Sequence, residues 1–325
     1  MRRSQRSTPP GQHLPVMLSE VLAALAPREG GVFVDCTAGW AGHASELLRR
    51  VGPAGRVLAL DLDPENLARA GERLAEVGHP HSLHHANFAG LVGVLAAEGI
   101  DRVEGVLADL GMSSMQVDDP DRGFSYVRDG PLDMRMDRTR GLTAAELLAG
   151  IVPEELARAL REYGDEEQAD RLAPVLVAAA KAGEVPTTSR LAGLIQSTLG
   201  GKRPWKLHPS KGKWNLHPAA RTFQALRILV NRELANLAHL LRVLPDVLRP
   251  GGTAAVISFH SGEDRLVKAA FRDGLRQGVY SEATDEPVRA SPAERLDNPR
   301  SRSAKLRWAR LGTMGAVDTP QTPQG

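Results

Sequence analysis

The sequence predicts an α/β fold in which a mainly parallel sheet is interrupted by an all-helical insertion. Three observations support this expectation. Short β-rich runs alternate with helical patterns up to residue 117, residues 118–212 show helical patterns without a convincing strand, and the alternation returns from residue 213. Because such alternation is typical of parallel sheets covered by helices, we expect one sheet built from two separate parts of the chain.

The N-terminal part reads as a βαβαβ series. The expected elements are a strand at 31–35, a helix beginning at Ala44, a strand at 56–61, a helix at 64–77, a weaker strand at 82–86, a short helix at 91–98 and a strand at 105–109. This order occurs in folds that bind dinucleotides and methyl donors.

The insertion is predicted to contain helices at 143–148, 153–163, 166–182 and 188–200. Thr143 and Glu146 have the spacing of a capping box at the start of the first helix. We assign residues 13–117 and 213–313 to the sheet domain and 118–212 to an inserted, substrate-recognition domain. Residues 1–12 and 314–325 are expected to be disordered because of their composition.

After the insertion, the pattern predicts one long helix from Ala219 to about Leu248, stopped by the Pro and Gly residues at 249–252. A strand at 253–259 follows. Residues 305–311 belong to a second basic run, and their alternating Leu306 and Trp308 also fit a strand at an edge of the sheet.

Composition excludes several classes of protein. The formal net charge of +2 excludes a polycation, so any nucleic-acid surface must come from local clusters of Lys and Arg. The single cysteine excludes an intrachain disulfide and fits a reducing compartment. No apolar run reaches the ~20 residues of a membrane helix, and no secretory signal is present. We therefore expect a cytoplasmic protein without a membrane partner, and nothing in the sequence indicates a homo-oligomer.

A turn of small residues follows the first predicted strand. Residues 35–43 contain Gly39 and Gly42, which do not fit the G-x-G-x-x-G spacing of nicotinamide sites. Asp35 before this turn suits a cationic or amine-bearing ligand. Asp61, at the end of the second strand, can accept hydrogen bonds from both hydroxyls of a ribose. A tight turn followed by a helix-capping acid explains the same residues equally well.

Asp109 follows the fourth predicted strand. Ligands of open α/β sheets bind beyond the carboxyl ends of the strands, so Asp109 is expected to face a bound group. An acceptor at this position can bond an exocyclic amine, localise its lone pair and later receive its proton. Ser113 and Ser114 are candidates for the same task. Taken without the rest of the pattern, Asp109 is better explained as a strand-end acid that caps a turn.

Two regions are candidates for nucleic-acid contact. Phe124 and Tyr126 lie in a glycine-containing loop and suit stacking on a base, although packing within their own domain is the alternative. Residues 201–217 combine cations with aromatic rings and contain no acid, which favours RNA over the alternative of a solvated loop. The candidate residues of that segment are Lys202, Arg203, Trp205, Lys211, Lys213 and Trp214.

Other polar groups are less specific. Arg221, Gln224, Arg227 and Asn231 share one face of the predicted long helix, where they are either solvated or hydrogen-bonded in a particular role. Residues 298–310 form a second basic run. Four histidines within 79–85 have no Cys or carboxylate among them, so we expect no metal site.

Many separate blocks of the sequence resemble the small-subunit ribosomal RNA cytosine-N4 methyltransferases, the RsmH/MraW family. The resemblance runs from His13 to Arg310, and the run from Gly130 to Asp137 is very specific. The blocks that carry it are residues 13–17, 35–43, 109–119, 122–126, 130–137, 221–228, 258–261, 263–265 and 298–303.

The resemblance implies a class I (Rossmann-like) S-adenosylmethionine methyltransferase sheet with an inserted helical domain. It implies methylation of N4 of one cytidine in the P-site region of 16S rRNA, within the small ribosomal subunit. The donor-binding positions of the family fall on Ala41, Gly42, His43, Asp61, Phe88, Asp109 and Gln116.

The chain departs from the family pattern in three places. Trp40 and Ala41 stand where glycines are usual, Gly262 stands where a Leu is usual, and residues 201–217 are longer than typical. These departures affect loop detail and remove no polar group that we assign to chemistry.

The resulting hypothesis places the donor across the ends of the first, second and fourth strands, with the target base flipped or unpaired. Asp109, Ser113 and Ser114 would orient the amine, Phe124 or Tyr126 would stack on the base, and His260 and Ser258 are further candidates near it. The sequence has no Pro-Cys nucleophile, which disfavours methylation at carbon 5. Rival hypotheses are a methyltransferase acting on DNA or protein and an RNA-binding ribosome-assembly factor that uses the fold without catalysis.

Overall fold

The computed structural model describes residues 14–200 and 217–313. Within them the chain forms two compact units. One contains the residues up to Gly111 and those from Asn236, and the other comprises Met112–Ala235. We refer to them as the sheet unit and the helical unit. The helical unit extends beyond the predicted limits of 118 and 212 on both sides.

The sheet unit is built on seven strands in the order β3-β2-β1-β4-β5-β7-β6. Strands β1 to β5 are parallel, whereas β7 is antiparallel to both of its neighbours. This doubly wound order confirms the predicted class I sheet. The strands are β1 Val32–Asp35, β2 Arg56–Asp61, β3 His81–His85, β4 Val103–Asp109, β5 Leu248–Ser258, β6 Tyr280–Ala283 and β7 Lys305–Leu311.

Helices cover both faces of this sheet, which therefore has two apolar cores. Alternate residues of each central strand point to opposite faces. Val34 and Leu58 belong to one core, while Phe33 and Val57 belong to the other. The helices are α1 Leu18–Leu25, α2 Gly42–Val51, α3 Pro64–Val77, α4 Leu91–Ala97, α11 Glu233–Val247, α12 Ser261–Arg276 and α13 Pro292–Asp297.

The helical unit contains α5 Ser114–Asp118, α6 Ala144–Gly150, α7 Pro153–Gly164, α8 Ala169–Lys181, α9 Thr188–Thr198 and α10 Ala220–Asn231. The predicted capping box of α6 is confirmed, because Thr143 Oγ1 accepts from Glu146 N and Glu146 Oε2 accepts from Thr143 N. Helices α7 and α10 approach closely at Gly164, where an added Cβ would lie 2.5 Å from the Arg221 carbonyl oxygen.

The prediction of one long helix from Ala219 to Leu248 is wrong. Helix α10 ends at Asn231, Arg232 adopts a left-handed conformation with φ 52°, and α11 begins at Glu233. The Arg227 guanidinium donates to both carboxylate oxygens of Glu233, each at 2.8 Å, across the break. Strand β5 then begins at Leu248, so the expected stop at 249–252 lies inside a strand.

The prediction of an edge position for residues 305–311 is also wrong. Strand β7 lies between β5 and β6, and β6 was not predicted. Strand β6 has only four residues, and its two polar residues, Ser281 and Glu282, are adjacent, so the segment lacks the alternation of a strand. None of the helices in the described part of the chain is long and apolar enough to cross a membrane.

Candidate active site

Three aspartates end three neighbouring parallel strands of the sheet unit. Asp35 is the last residue of β1, Asp61 of β2 and Asp109 of β4. In the sheet register Asp35 pairs with Ala59 and with Leu107, so Asp61 and Asp109 each extend two residues further than Asp35. Strands β1 and β4 meet at the point where the strand order reverses, which is where open α/β sheets bind ligands.

The loop between β1 and α2 joins these three strand ends. Thr37 N donates to Asp35 Oδ1 at 3.1 Å, and Gly39 N donates to Asp61 Oδ2 at 2.7 Å. Asp109 N donates to Thr37 Oγ1 at 2.7 Å. The sequence analysis missed Thr37, whose hydroxyl group bridges β1 and β4. A Thr two residues after a strand gives no distinctive signal.

The turn itself contains two left-handed residues, Gly39 with φ 52° and Ala41 with φ 56°. Glycine adopts this conformation freely, but alanine pays a steric penalty of roughly 1–2 kcal/mol. Ala41 is fully buried and caps the N-terminus of α2. The backbone therefore keeps the left-handed turn at a position where the family usually has glycine.

Burial is the main cause that raises the pKa values of the three carboxyl groups, and neighbouring carboxylates add to it. Burial, supported by the charge of Asp61, raises the pKa of Asp35 to about 7 against the opposing hydrogen bonds of Thr37. Burial raises the pKa of Asp109 to about 8, with contributions from the charges of Asp35 and Glu263 and opposition from Arg300. The pKa of Asp61 is raised by burial and lowered in part by N–H donors, including Asp63 N and Gly39 N.

Two of the carboxylate oxygens, Asp35 Oδ2 and Asp109 Oδ1, are buried without a hydrogen-bond partner among the described residues. Buried polar atoms are rarely left in this state unless a ligand or water completes them. Together with the raised pKa values, these atoms indicate a site that gains stability from a cation or from N–H and O–H donors.

Gly42, His43 and Phe88 are further predicted donor-binding residues of the sheet unit. Gly42 begins α2, and an added Cβ would lie 3.1 Å from Pro15, so a side chain fits poorly there. His43 is buried, its Nε2 bonds Val16 O at 2.9 Å, and its Nδ1 lies 3.8 Å from Asp109 Oδ2. Phe88 follows β3 and is partly buried against the core.

His260 has a structural role that the sequence did not indicate. Its Nδ1 accepts from Glu263 N at 3.4 Å, and Glu263 Oε2 accepts from Phe259 N and His260 N, which forms a capping box at the start of α12. Ser258 is buried at the end of β5 and donates to Lys305 O at 3.4 Å.

In the helical unit, the Ser113 and Gln116 side chains cap α5. Ser113 Oγ accepts from Gln116 N at 3.2 Å, and Gln116 Oε1 accepts from Ser113 N at 3.1 Å. Ser114 is the first residue of this helix. The Ser113 and Gln116 side chains therefore hold the turn that follows Asp109 along the chain.

The two predicted stacking residues differ in their surroundings. Phe124 is only 6% exposed and belongs to the core of the helical unit, so its ring has no free face for a base. Tyr126 is half-buried, with its ring stacked on His217 at 4.7 Å and edge-on to Phe223 at 5.5 Å. The alternative of internal packing applies to Phe124.

The polar stripe of α10 is mostly engaged inside the helical unit. Gln224 donates to Tyr163 O, while Asn231 donates to Met134 O and accepts from Met136 N, each at 2.7–2.8 Å. Arg221 is half-buried on the same helix. The specific run from Gly130 to Asp137 is thus held by α10, a structural role. Lys202, Arg203, Trp205, Lys211, Lys213 and Trp214 lie outside the described residues.

Known proteins resemble this chain over most of its length. The sequence profile of the MraW methylase family matches residues 11–311. A protein from Symbiobacterium thermophilum named ribosomal RNA small subunit methyltransferase H is 46% identical over 310 residues, covering 91% of this chain and 95% of the relative. A protein of the same name from Sorangium cellulosum is 46% identical, and the match covers 92% of this chain and 90% of that relative. Another, from Citrifermentans bemidjiense, is 44% identical, and the match covers 91% of this chain and 97% of that relative. Because the profile spans nearly the whole chain, as the motifs predicted, this protein belongs to the MraW methylase family.

Proposed function

We propose that this chain transfers a methyl group from S-adenosylmethionine to N4 of one cytidine in the P-site region of 16S rRNA. The family and the names of the relatives support rRNA methylation. The observation that carries the proposal is the cluster of Asp35, Asp61 and Asp109 at adjoining strand ends, with buried oxygens that lack partners.

The cluster fits the chemistry of the donor. S-adenosylmethionine carries a sulfonium and an ammonium cation, and it supplies an electrophilic methyl group when bound. Asp35 and Asp109 present carboxyl groups that a cation would favour in their ionised forms. Asp61 suits the ribose hydroxyls, and the backbone of residues 41–43 lies at the N-terminus of α2. Phe88 would supply an apolar contact.

Asp109 is the proposed partner of the attacking amine. A carboxylate that accepts the amine N–H increases the nucleophilicity of the nitrogen and takes the proton as the new bond forms. The side chains of Ser113 and Gln116 are committed to the cap of α5, so we assign them to positioning the chain after Asp109. Ser114 and His260 remain candidates for contact with the base.

RNA contact is assigned to Tyr126, Arg221 and the basic aromatic segment of residues 201–217. The cations of that segment suit phosphates and its two Trp rings suit bases. We place the reaction on the small ribosomal subunit, and therefore in the cytoplasm.

The test combines donor binding with product analysis. Purified protein would be incubated with methyl-labelled S-adenosylmethionine and small subunits from cells that lack this activity, and the RNA digested to nucleosides. We expect label in N4-methylcytidine. Asp109→Asn should reduce the rate by at least 100-fold, whereas Asp101→Asn, at an exposed carboxyl group, should not change it.

The outcomes separate the rival hypotheses. Donor binding without label in any RNA nucleoside would indicate another substrate, such as DNA or protein. Absence of donor binding would favour a non-catalytic assembly factor. Label in N4-methylcytidine that persists in Asp109→Asn would contradict the role given to that carboxyl group.

A further inference from the structure

The His43 ring is held between two groups of the sheet unit. Its Nε2 lies 2.9 Å from the Val16 carbonyl oxygen. A carbonyl oxygen only accepts hydrogen bonds, so Nε2 carries the hydrogen and Nδ1 of the neutral ring has a lone pair. Nδ1 lies 3.8 Å from Asp109 Oδ2, and the residue is only 5% exposed. The ring is therefore oriented with its basic nitrogen towards the carboxyl group.

Asp109 is fixed from the other side. Its backbone N–H donates to Thr37 Oγ1 at 2.7 Å, and its Oδ1 has no hydrogen-bond partner among the described residues. The charged groups that act on it are Asp35 and Glu263, which oppose its ionisation, and Arg300, which favours it. Burial and these charges raise the pKa of Asp109 to about 8, so its carboxyl group holds a proton near neutral pH.

A protonated carboxyl group cannot receive the proton of the attacking amine. The Asp109 proton must therefore leave the carboxyl group before methyl transfer. Nδ1 of His43 is an imidazole nitrogen within 4 Å of this carboxyl group. The separation of 3.8 Å exceeds a hydrogen bond, but catalytic contacts are often long without substrate and shorten when it binds.

We propose that His43 accepts the Asp109 proton on Nδ1, so that Asp109 is ionised when the target amine attacks. This inference rests on the function proposed above. His43 is a positioning residue in this scheme, because it acts on the reacting groups only through Asp109.

Each proton and electron pair has a defined destination during methyl transfer. The Asp109 proton moves to Nδ1, which gives a carboxylate and an imidazolium. The base N4 forms a bond to the methyl carbon as the carbon–sulfur bond breaks, and that electron pair stays on sulfur. The N4 proton then moves to the Asp109 carboxylate. Loss of one proton from the imidazolium to solvent restores the starting state, so one proton is released per methyl group transferred.

The rate test uses His43→Gln, whose amide nitrogen can take the place of Nε2 and donate to the Val16 carbonyl, but which cannot take up a proton. Single-turnover rates at saturating donor would be measured from pH 6 to 9.5. We expect a lower rate than that of the wild type at pH 7, because the Asp109 proton then has no acceptor other than solvent. The rate should recover towards the wild-type value above pH 9, with the Kd for the donor unchanged. His79→Gln, in the loop before β3, is the control.

A purely structural or donor-binding role for His43 predicts something different. The variant would then bind the donor more weakly and show the wild-type pH profile at saturation, and that result would overturn the proposal.

A second measurement does not depend on activity. We would follow the His43 ring nitrogens by ¹⁵N NMR during a pH titration of the wild type and of Asp109→Asn. Coupling predicts that the midpoint of the His43 titration moves in the variant, and an unchanged midpoint refutes the pair. If the wild type methylates no cytidine while the midpoint moves, the pair stands and the substrate assignment fails.

Discussion

Replacing Asp109 by Asn should change how the stability of the free protein depends on pH. The pKa of Asp109 is raised from 3.8 to about 8 in the folded protein. Between these two values the folded state binds more protons at this site than the unfolded state does. The free energy of unfolding therefore includes a contribution that is fully present below about pH 4 and is lost as the pH rises towards 8.

The size of this contribution follows from the shift. A difference of about four pKa units corresponds to a ceiling of about 5–6 kcal/mol at about 1.4 kcal/mol per unit. The Asp109 side chain is 21% exposed, so solvent screens part of its cost of ionisation. We expect roughly 2–3 kcal/mol to be lost between pH 6 and 9 through this residue. The Asn side chain cannot ionise, so the variant should not lose this part of its free energy of unfolding as the pH rises.

The assay is urea unfolding followed by circular dichroism at pH 6, 7, 8 and 9, without donor. Asp109→Asn should match the wild type near pH 6, exceed its stability at pH 9 and show a smaller slope. Some slope should remain, because Asp35 also titrates with a pKa of about 7. Asp101→Asn, at an exposed site, should retain the wild-type slope. Equal slopes in all three proteins would refute the view that Asp109 is buried in its protonated form.

Three further substitutions test local features of the fold by urea unfolding. Gly164→Ala should destabilise the helical unit by about 1–3 kcal/mol, because the added methyl group collides with a backbone carbonyl. The control Gly150→Ala, also at the last residue of a helix but in open space, should be close to neutral. Similar effects of the two substitutions would argue against the close helix contact. Ala41→Gly should increase stability by about 1 kcal/mol because it relieves a left-handed alanine; a decrease would mean that the turn is not strained. Asn231→Ala should cost about 2–3 kcal/mol through loss of its bonds to the loop at 134–136, and a change below 0.5 kcal/mol would contradict that role.

The elements of the sheet unit were predictable where the local pattern was strong. The predicted bounds of the strand at 56–61 and the helix at 64–77 are those of the structure. The strand is a short apolar run bounded by turn residues, and the helix is a capped run with helical periodicity. The break at Arg232 was not predictable, because no Gly or Pro marks it. Its left-handed conformation is held by contacts between residues that precede and follow it.

The candidate site was predictable only in part, for a related reason. Strand ends could be located along the chain, which singled out Asp35, Asp61 and Asp109. The hydroxyl bridge of Thr37 and the orientation of the His43 ring depend on segments distant in sequence. Phe124 was a candidate for stacking on a base or for internal packing, and it lies in a core; the sequence could not choose, since aromatic residues in loops suit both places.

The sequence by itself determined the fold class, the family and the three acids that end the strands, because periodicity, turn residues and motif spacing are local properties of the chain. The tertiary structure decided which acids keep their protons, which polar residues support the fold, and which imidazole nitrogen faces Asp109. Those properties depend on burial and on charges brought together from distant positions. Burial, together with the charges of Asp35 and Glu263, raises the pKa of an ordinary strand-end aspartate to about 8.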